Sequence, residues 1–162
     1  MPDWNNLTEA ELRHYWRLRW LSSLQEFTDT SVQTTRWVDP EEANPHYSFV
    51  ECMCCYFDDA DLAEQDSYEQ RIAGGYLTPE EASAVAEFHL LADQYHSPGG
   101  DDYDTPAILS DPAWRNVVEA AKRAQESLLL LLTSAIEVAA LTNPLFWEKA
   151  GYGFQAHYPD PA

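Results

Sequence analysis

Apolar side chains near the start of the chain recur at helical spacing. Four of them stand four residues apart: Leu12, Trp16, Trp20 and Leu24. Just before this stripe, Thr8 and Glu11 fit a capping box, in which each side chain accepts a hydrogen bond from the other residue's amide. The pattern predicts an amphipathic helix from about residue 9 to 27.

Two further helices begin at clear start signals. Thr78-Pro79 with Glu81 predicts a helix that stops before Ser97, because Thr caps, Pro suits the first turn and Glu follows three residues after the cap. Asp111-Pro112 opens a long helix, predicted to run to about Leu141. Its stretch 128–132 is apolar all round, which is typical of a buried helix end or an oligomer contact.

The segment from His46 to Phe57 is dense in Tyr, Phe, Val, Met and Cys and has no Gly or Pro. Both alternating faces are largely apolar, so it predicts a central β-strand. Residues 29–38 fit either a strand, through Thr and Val, or a short helix capped by Asp29. We therefore expect an α+β fold in which a small antiparallel sheet is covered by three main helices, with a mostly α fold as the alternative.

The length of 162 residues suits one domain, so we expect residues 1–162 to form a single unit. No apolar run reaches the roughly 18 to 20 residues that a membrane span needs. The N-terminus lacks the basic and apolar segments of a secretory signal. These features predict a soluble, cytoplasmic protein.

Negative charge is concentrated in the middle of the chain. The net charge is −19, and residues 41–111 contain 17 acidic residues and one basic residue, Arg71. This charge disfavours nucleic acid and anionic membranes, since both are bound through Lys and Arg. It favours a basic protein or a metal cation, although an acidic surface can also serve solubility alone.

The residues with possible chemistry form no complete motif. Asp59-x-Asp61 and Asp102-x-Asp104 resemble parts of cation sites, but Gln70 and Ala113 stand where a calcium loop has its bidentate Glu. Cys52, Cys54 and Cys55 have no partner pair for zinc, so we expect small buried residues of the strand. We predict no catalytic residue, no metal site and no cofactor. A metal-assisted enzyme that uses the acidic loops and His96 is the alternative.

Acidic and aromatic residues are interleaved in two short segments. Long-range attraction speeds encounter with a basic partner, and Tyr supplies contact area at low entropic cost. We expect these segments to bind a basic protein, such as a toxin or nuclease. The predicted contact residues are Asp58, Asp59, Asp61, Glu64 and Asp66 in the first segment and Asp101, Asp102, Tyr103 and Asp104 in the second. An oligomeric scaffold with 128–132 as its contact is a further alternative.

Several short matches also carry a family resemblance. They are Gln33, Arg36-Trp37-Val38, Pro45-x-Tyr47, Phe57-Asp58-Asp59, Glu81, Ile108-Leu109-x-Asp111-Pro112-x-Trp114 and Val117-Val118-x-Ala120-Ala121. This order resembles a small uncharacterised acidic family of bacteria, seen especially in actinomycetes, over about residues 20–125. The family is similar to immunity proteins in size and charge, and the resemblance implies no catalytic residues. Our leading hypothesis is a non-catalytic binding protein of the toxin-immunity type.

Overall fold

The computed structural model of the chain describes residues 5–38 and 47–149. These ranges contain helices and no β-strand. The α-helices are α1 (Glu9–Thr28), α2 (Thr30–Val38), α3 (Phe49–Cys54), α4 (Ser67–Ala73), α5 (Pro79–Gln94), α6 (Thr105–Ser110), α7 (Pro112–Leu129), α8 (Ala135–Thr142) and α9 (Phe146–Lys149). The predicted α+β class is therefore wrong, and the fold is all-α.

The segment predicted as the central strand is helical. Ser48 caps α3, since its hydroxyl accepts a hydrogen bond from the amide of Glu51, and a π-helical turn (Cys55–Asp59) continues the helix. The strand prediction failed because the buried positions recur every three or four residues, as a helix requires, rather than every two. These positions are Phe49, Cys52, Tyr56 and Ala60. His46 lies outside the described residues.

Other predictions along the chain were closer. The capping boxes at Thr8 and Thr78 are both present, and α1 and α5 begin as predicted. The ambiguous segment after α1 is helix α2, and a carboxylate oxygen of Asp29 accepts from the amide of Val32. The long last helix is wrong in extent, because α7 ends at Leu129 and Ser134 caps a separate helix, α8.

α1 is the central helix, since it packs against both α7 and α8 while α5 packs against α7. Its fully buried side chains include Leu18 and Leu21, which the predicted stripe missed, whereas Leu12 at the start of that stripe is exposed. The buried apolar side chains of the described residues form one cluster. Phe27 lies near its centre, with ring contacts to Tyr56, Phe88 and Trp114.

Arg17 joins α1 to two other helices through a partly buried ion cluster. Its Nη1 and Nη2 donate to the two carboxylate oxygens of Glu81 on α5, at 3.0 and 2.6 Å. Its Nε and Nη2 donate to Glu137 on α8 at 2.5 and 3.2 Å, and Nη1 also donates to the carbonyl of Tyr76. All five guanidinium N–H groups are thereby used, which is the geometry that Arg provides and Lys does not.

Charge pairing outweighs burial in this cluster. Burial acts to lower the pKa of Arg17, but its bonds to Glu81 and Glu137 raise the pKa above its usual value. Burial likewise acts to raise the pKa of Glu81, and the bonds from Arg17 and Thr78 bring the pKa below its usual value. The stabilisation from Glu81 is therefore present above the ordinary carboxyl pKa and is lost as the pH falls through the lowered one.

We predict that Arg17→Met lowers the free energy of unfolding by about 3 to 5 kcal/mol, because it leaves two partly buried carboxylates without their cation. Arg17→Lys should recover only a minor part of the stability that Arg17→Met loses, since one ammonium group cannot reproduce the paired hydrogen bonds. Urea unfolding at pH 7 measures both. Arg123→Met is the control: it breaks an exposed pair with Glu87 and should change stability by less than about 1 kcal/mol. Equal losses in Arg17→Met and Arg123→Met would contradict the structural role of Arg17.

Glu26 on α1 has a raised pKa, in contrast to the lowered pKa of Glu81. Its Oε1 accepts from Trp37 Nε1 at 3.2 Å. Burial raises the pKa of Glu26 to about 7, although Trp37 and the charge of Arg36 act to lower it and the charge of Glu51 raises it further. Folding therefore takes up a proton at Glu26 between about pH 4.5 and 7, and ionised Glu26 opposes folding above that range.

We expect Glu26→Gln to stabilise the protein at pH 8 by roughly 1 to 3 kcal/mol, because the amide keeps an acceptor for Trp37 without the buried charge. The gain over wild type should shrink as the pH falls from 7 to 5. Urea unfolding of both proteins at pH 5, 6, 7 and 8 measures it, with the exposed Glu126→Gln as control. A difference that is independent of pH would show that Glu26 ionises normally in the folded protein.

Candidate functional site

The first predicted acidic segment leaves α3 through the π-helical turn and reaches α4. Four of its five acids are exposed, and Asp59 is half-buried. Asp61 adopts a left-handed backbone conformation (φ 57°) and pairs with Arg71 at 3.0 Å. Asp66 accepts from Gln70. Arg71 therefore offsets part of the charge at the α4 end, while Asp58 lies nearer α3.

The second segment forms the loop between α5 and α6, and all four of its predicted contact residues are exposed. Its carboxylates also shape the loop. Asp101 accepts from the amide of Tyr103, Asp102 accepts from the buried Ser97 hydroxyl at 2.6 Å, and Asp104 caps α6. Tyr103 itself is 81% exposed. The loop thus has a defined shape and presents an aromatic ring between acids.

An open groove of about 410 Å³ lies between α3 and this loop, and we call it the α3 groove. Its described lining contains no Lys or Arg. Apolar side chains from α3 and the end of α5 contribute most of that lining, with polar residues of the loop at one side. The lining residues are Phe49, Val50, Met53, Cys54, Tyr95, His96, Ser97, Gly100 and Asp102.

The second acidic segment contributes to the α3 groove directly, and the first segment is connected to it through Cys54. Asp102 lines it directly, and Cys54, which also lines it, is hydrogen-bonded to Asp58. Glu51 and Asp59 act electrostatically on the same thiol. The sequence predicted the acids but missed Met53 and the other apolar lining residues, because those were assigned to a strand buried on both faces.

The walls of the groove are held by packing beneath it. Phe49 and Tyr95 both contact the ring of Trp114, at centroid distances of 5.4 and 5.1 Å. The Tyr95 hydroxyl donates to Asp111, which caps α7. Burial, that hydrogen bond and the charge of Asp102 together raise the pKa of Tyr95, so it stays neutral near pH 7.

The cysteines have the properties of packing residues. Cys52 is fully buried, whereas Cys54 and Cys55 are partly exposed. Burial and the adjacent Asp58 raise the pKa of Cys54 to about 11, so its thiol is protonated at neutral pH. The expected burial is thus confirmed for Cys52, while their expected place in a strand is wrong.

Two of the histidines, His89 and His96, differ in burial, since His89 is half-buried and His96 is exposed. His89 Nδ1 lies 3.0 Å from the hydroxyl of Tyr56, which is also hydrogen-bonded to Tyr68. Burial lowers the pKa of His89, against the charge of Asp93. His96 is exposed at the α3 groove. Within residues 5–38 and 47–149, no group of three or more His, Cys, Asp or Glu is placed to hold a metal ion.

The apolar stretch 128–132 does not form a uniformly buried helix end. Leu128 is buried, but Leu130 is 89% exposed beyond the end of α7. Its role as an oligomer contact stays a prediction. None of the described helices combines the length and apolar content that crossing a membrane requires.

Comparison with known proteins places the chain in a family. Residues 13–133 match a domain of unknown function, DUF7945. No curated protein and no solved structure matches the chain. The predicted resemblance to an uncharacterised family is confirmed to that extent. Because the match covers well over half of the sequence, the chain belongs to the DUF7945 family.

Proposed function

We propose that this protein is a non-catalytic binding protein of the toxin-immunity type, which masks a basic partner protein. The observation that carries the proposal is the α3 groove, whose mainly apolar lining includes Asp102 and also Cys54, to which Asp58 is hydrogen-bonded. Residues 41–111 hold 16 of the 19 net negative charges, which would attract a cationic protein at long range.

The exposed acids can act on a partner without rearrangement of the fold. Asp102 is already oriented by its bond from Ser97 and Asp104 by its bond from the amide of Ala107 in α6, so little side-chain freedom is lost on binding. Tyr103 offers a large ring with few rotatable bonds. Such a surface favours rapid association and occlusion, which is what inhibition of a basic toxin or nuclease requires.

The proposal predicts that expression of this chain protects cells from a basic toxin encoded beside its gene. Wild type should restore growth, and the purified pair should associate with a rate constant that falls steeply as salt increases. The quadruple variant Asp58→Asn, Asp59→Asn, Asp61→Asn, Asp102→Asn should associate at least tenfold more slowly at low salt. Stopped-flow mixing at two ionic strengths measures the rates.

A matched variant controls for net charge. Glu80→Gln, Glu87→Gln, Glu119→Gln and Glu126→Gln remove the same four charges from exposed positions on α5 and α7 that do not line the groove. This control should slow association far less than the Asn variant. Equal rates for the two variants would show that the acidic segments are not the interface. A neighbouring basic protein that neither binds nor is neutralised would overturn the proposed function.

A further inference from the structure

The α3 groove has a chemistry that a purely electrostatic surface lacks. Its lining includes Phe49, Val50 and Met53, so water is poorly accommodated there and an apolar group would displace it favourably. At about 410 Å³ the space is within the range of sites that take small organic groups or single large side chains. Electrostatic attraction of a partner by the acidic residues alone would not involve contact with these apolar side chains.

We propose that the α3 groove receives one apolar side chain of the basic partner, flanked by Lys or Arg side chains that face Asp58 and Asp102. This inference rests on the proposed function and specifies how the partner is recognised. Burial of the apolar anchor supplies affinity, and the charges on each side of the anchor fix its register.

The groove is preformed on one side and adaptable on the other. Phe49 and Tyr95 are held against Trp114, and Tyr95 is also bonded to Asp111, so these walls keep their shape without a ligand. Met53 is half-buried, and its unbranched thioether can adjust to different anchors. A fixed aromatic wall with one flexible Met suits an aromatic or long aliphatic anchor.

Charge complementarity selects the occupant. Lys and Arg beside the anchor would be attracted by Asp58, Asp102 and Glu51, and no Lys or Arg among the described lining residues competes with them. A second copy of this chain is disfavoured, because two molecules of net charge −19 would bring the same acids together. The occupant is therefore a cationic segment of a different protein.

The test uses fluorescein-labelled peptides and the full chain. One peptide carries a Phe with two Lys on each side, a second has Ala in place of the Phe, and a third has Glu in place of each Lys. Fluorescence anisotropy gives the dissociation constants. We expect wild type to bind the Phe peptide at least tenfold more tightly than the Ala peptide and not to bind the Glu peptide.

Variants of this protein distinguish the contribution of the apolar anchor to binding from that of the acidic side chains. Val50→Trp, which fills the groove, and the neutral Met53→Gln should each reduce the Phe-to-Ala preference to less than twofold. Asp58→Asn with Asp102→Asn should weaken the Phe and Ala peptides by a similar factor and reduce the salt dependence. Glu126→Gln should change nothing. Thermal unfolding followed by circular dichroism shows which variants are folded, and the two groove variants check each other.

The outcomes distinguish the inference from the proposed function. Equal affinity for the Phe and Ala peptides, with loss of both in the Asn variant, would overturn the anchor while leaving an acidic binding protein. A dimer of the unliganded chain that Val50→Trp dissociates would assign the groove to a second copy and overturn the inference. Failure to neutralise the neighbouring basic protein remains the separate test of the proposed function.

Discussion

The ion cluster at Arg17 constrains how the helices of this protein can be arranged. α1 lies against α7 and α8 and buries apolar side chains at adjacent positions such as Trp20 and Leu21, so hydrophobic packing alone would specify its rotation weakly. Arg17 removes that freedom, because all of its donors are satisfied only when Glu81 and Glu137 approach from two different helices. A partly buried charge that must be paired thereby fixes the register of α1 against α5 and α8.

The acidic residues fall into two groups, those bonded within the fold and those that lie mainly at the surface. Glu81 accepts from the amide of Thr78 in the capping box of α5 and pairs with Arg17, and Asp111 caps α7 and accepts from Tyr95, so these carboxylates are used by the fold itself. The acids at 58–66 and 101–104 lie mainly at the surface, with Arg71 as a local counter-ion for Asp61. For the proposed partner, the relevant charge is therefore that of the exposed acids near the α3 groove rather than the net charge of the whole chain.

The sequence was sufficient to predict helix caps, but it was not sufficient to predict the contacts between helices. Thr8, Thr78 and Asp111 marked helix starts correctly because a cap acts within one turn of its own residue. Residues 47–57 were wrongly predicted as a strand because they are apolar at nearly every position. Neither the period of a strand nor that of a helix can therefore be recognised in this segment. The ion cluster could not be foreseen, because Arg17 is separated from Glu81 by 64 residues and from Glu137 by 120.

The same error concealed the α3 groove. A strand covered on both faces has no exposed apolar surface, whereas a helix with Phe49 and Cys52 facing the core leaves Val50 and Met53 on its outer side. Asp102 lines the groove, and Asp58 is hydrogen-bonded to Cys54, which also lines it. In the proposed function, charge would attract many cationic proteins to this surface, and the apolar lining would discriminate among them, because only a partner with a side chain of suitable shape gains from its burial. Selectivity in this protein is therefore expected to depend on α3 more than on the number of acids.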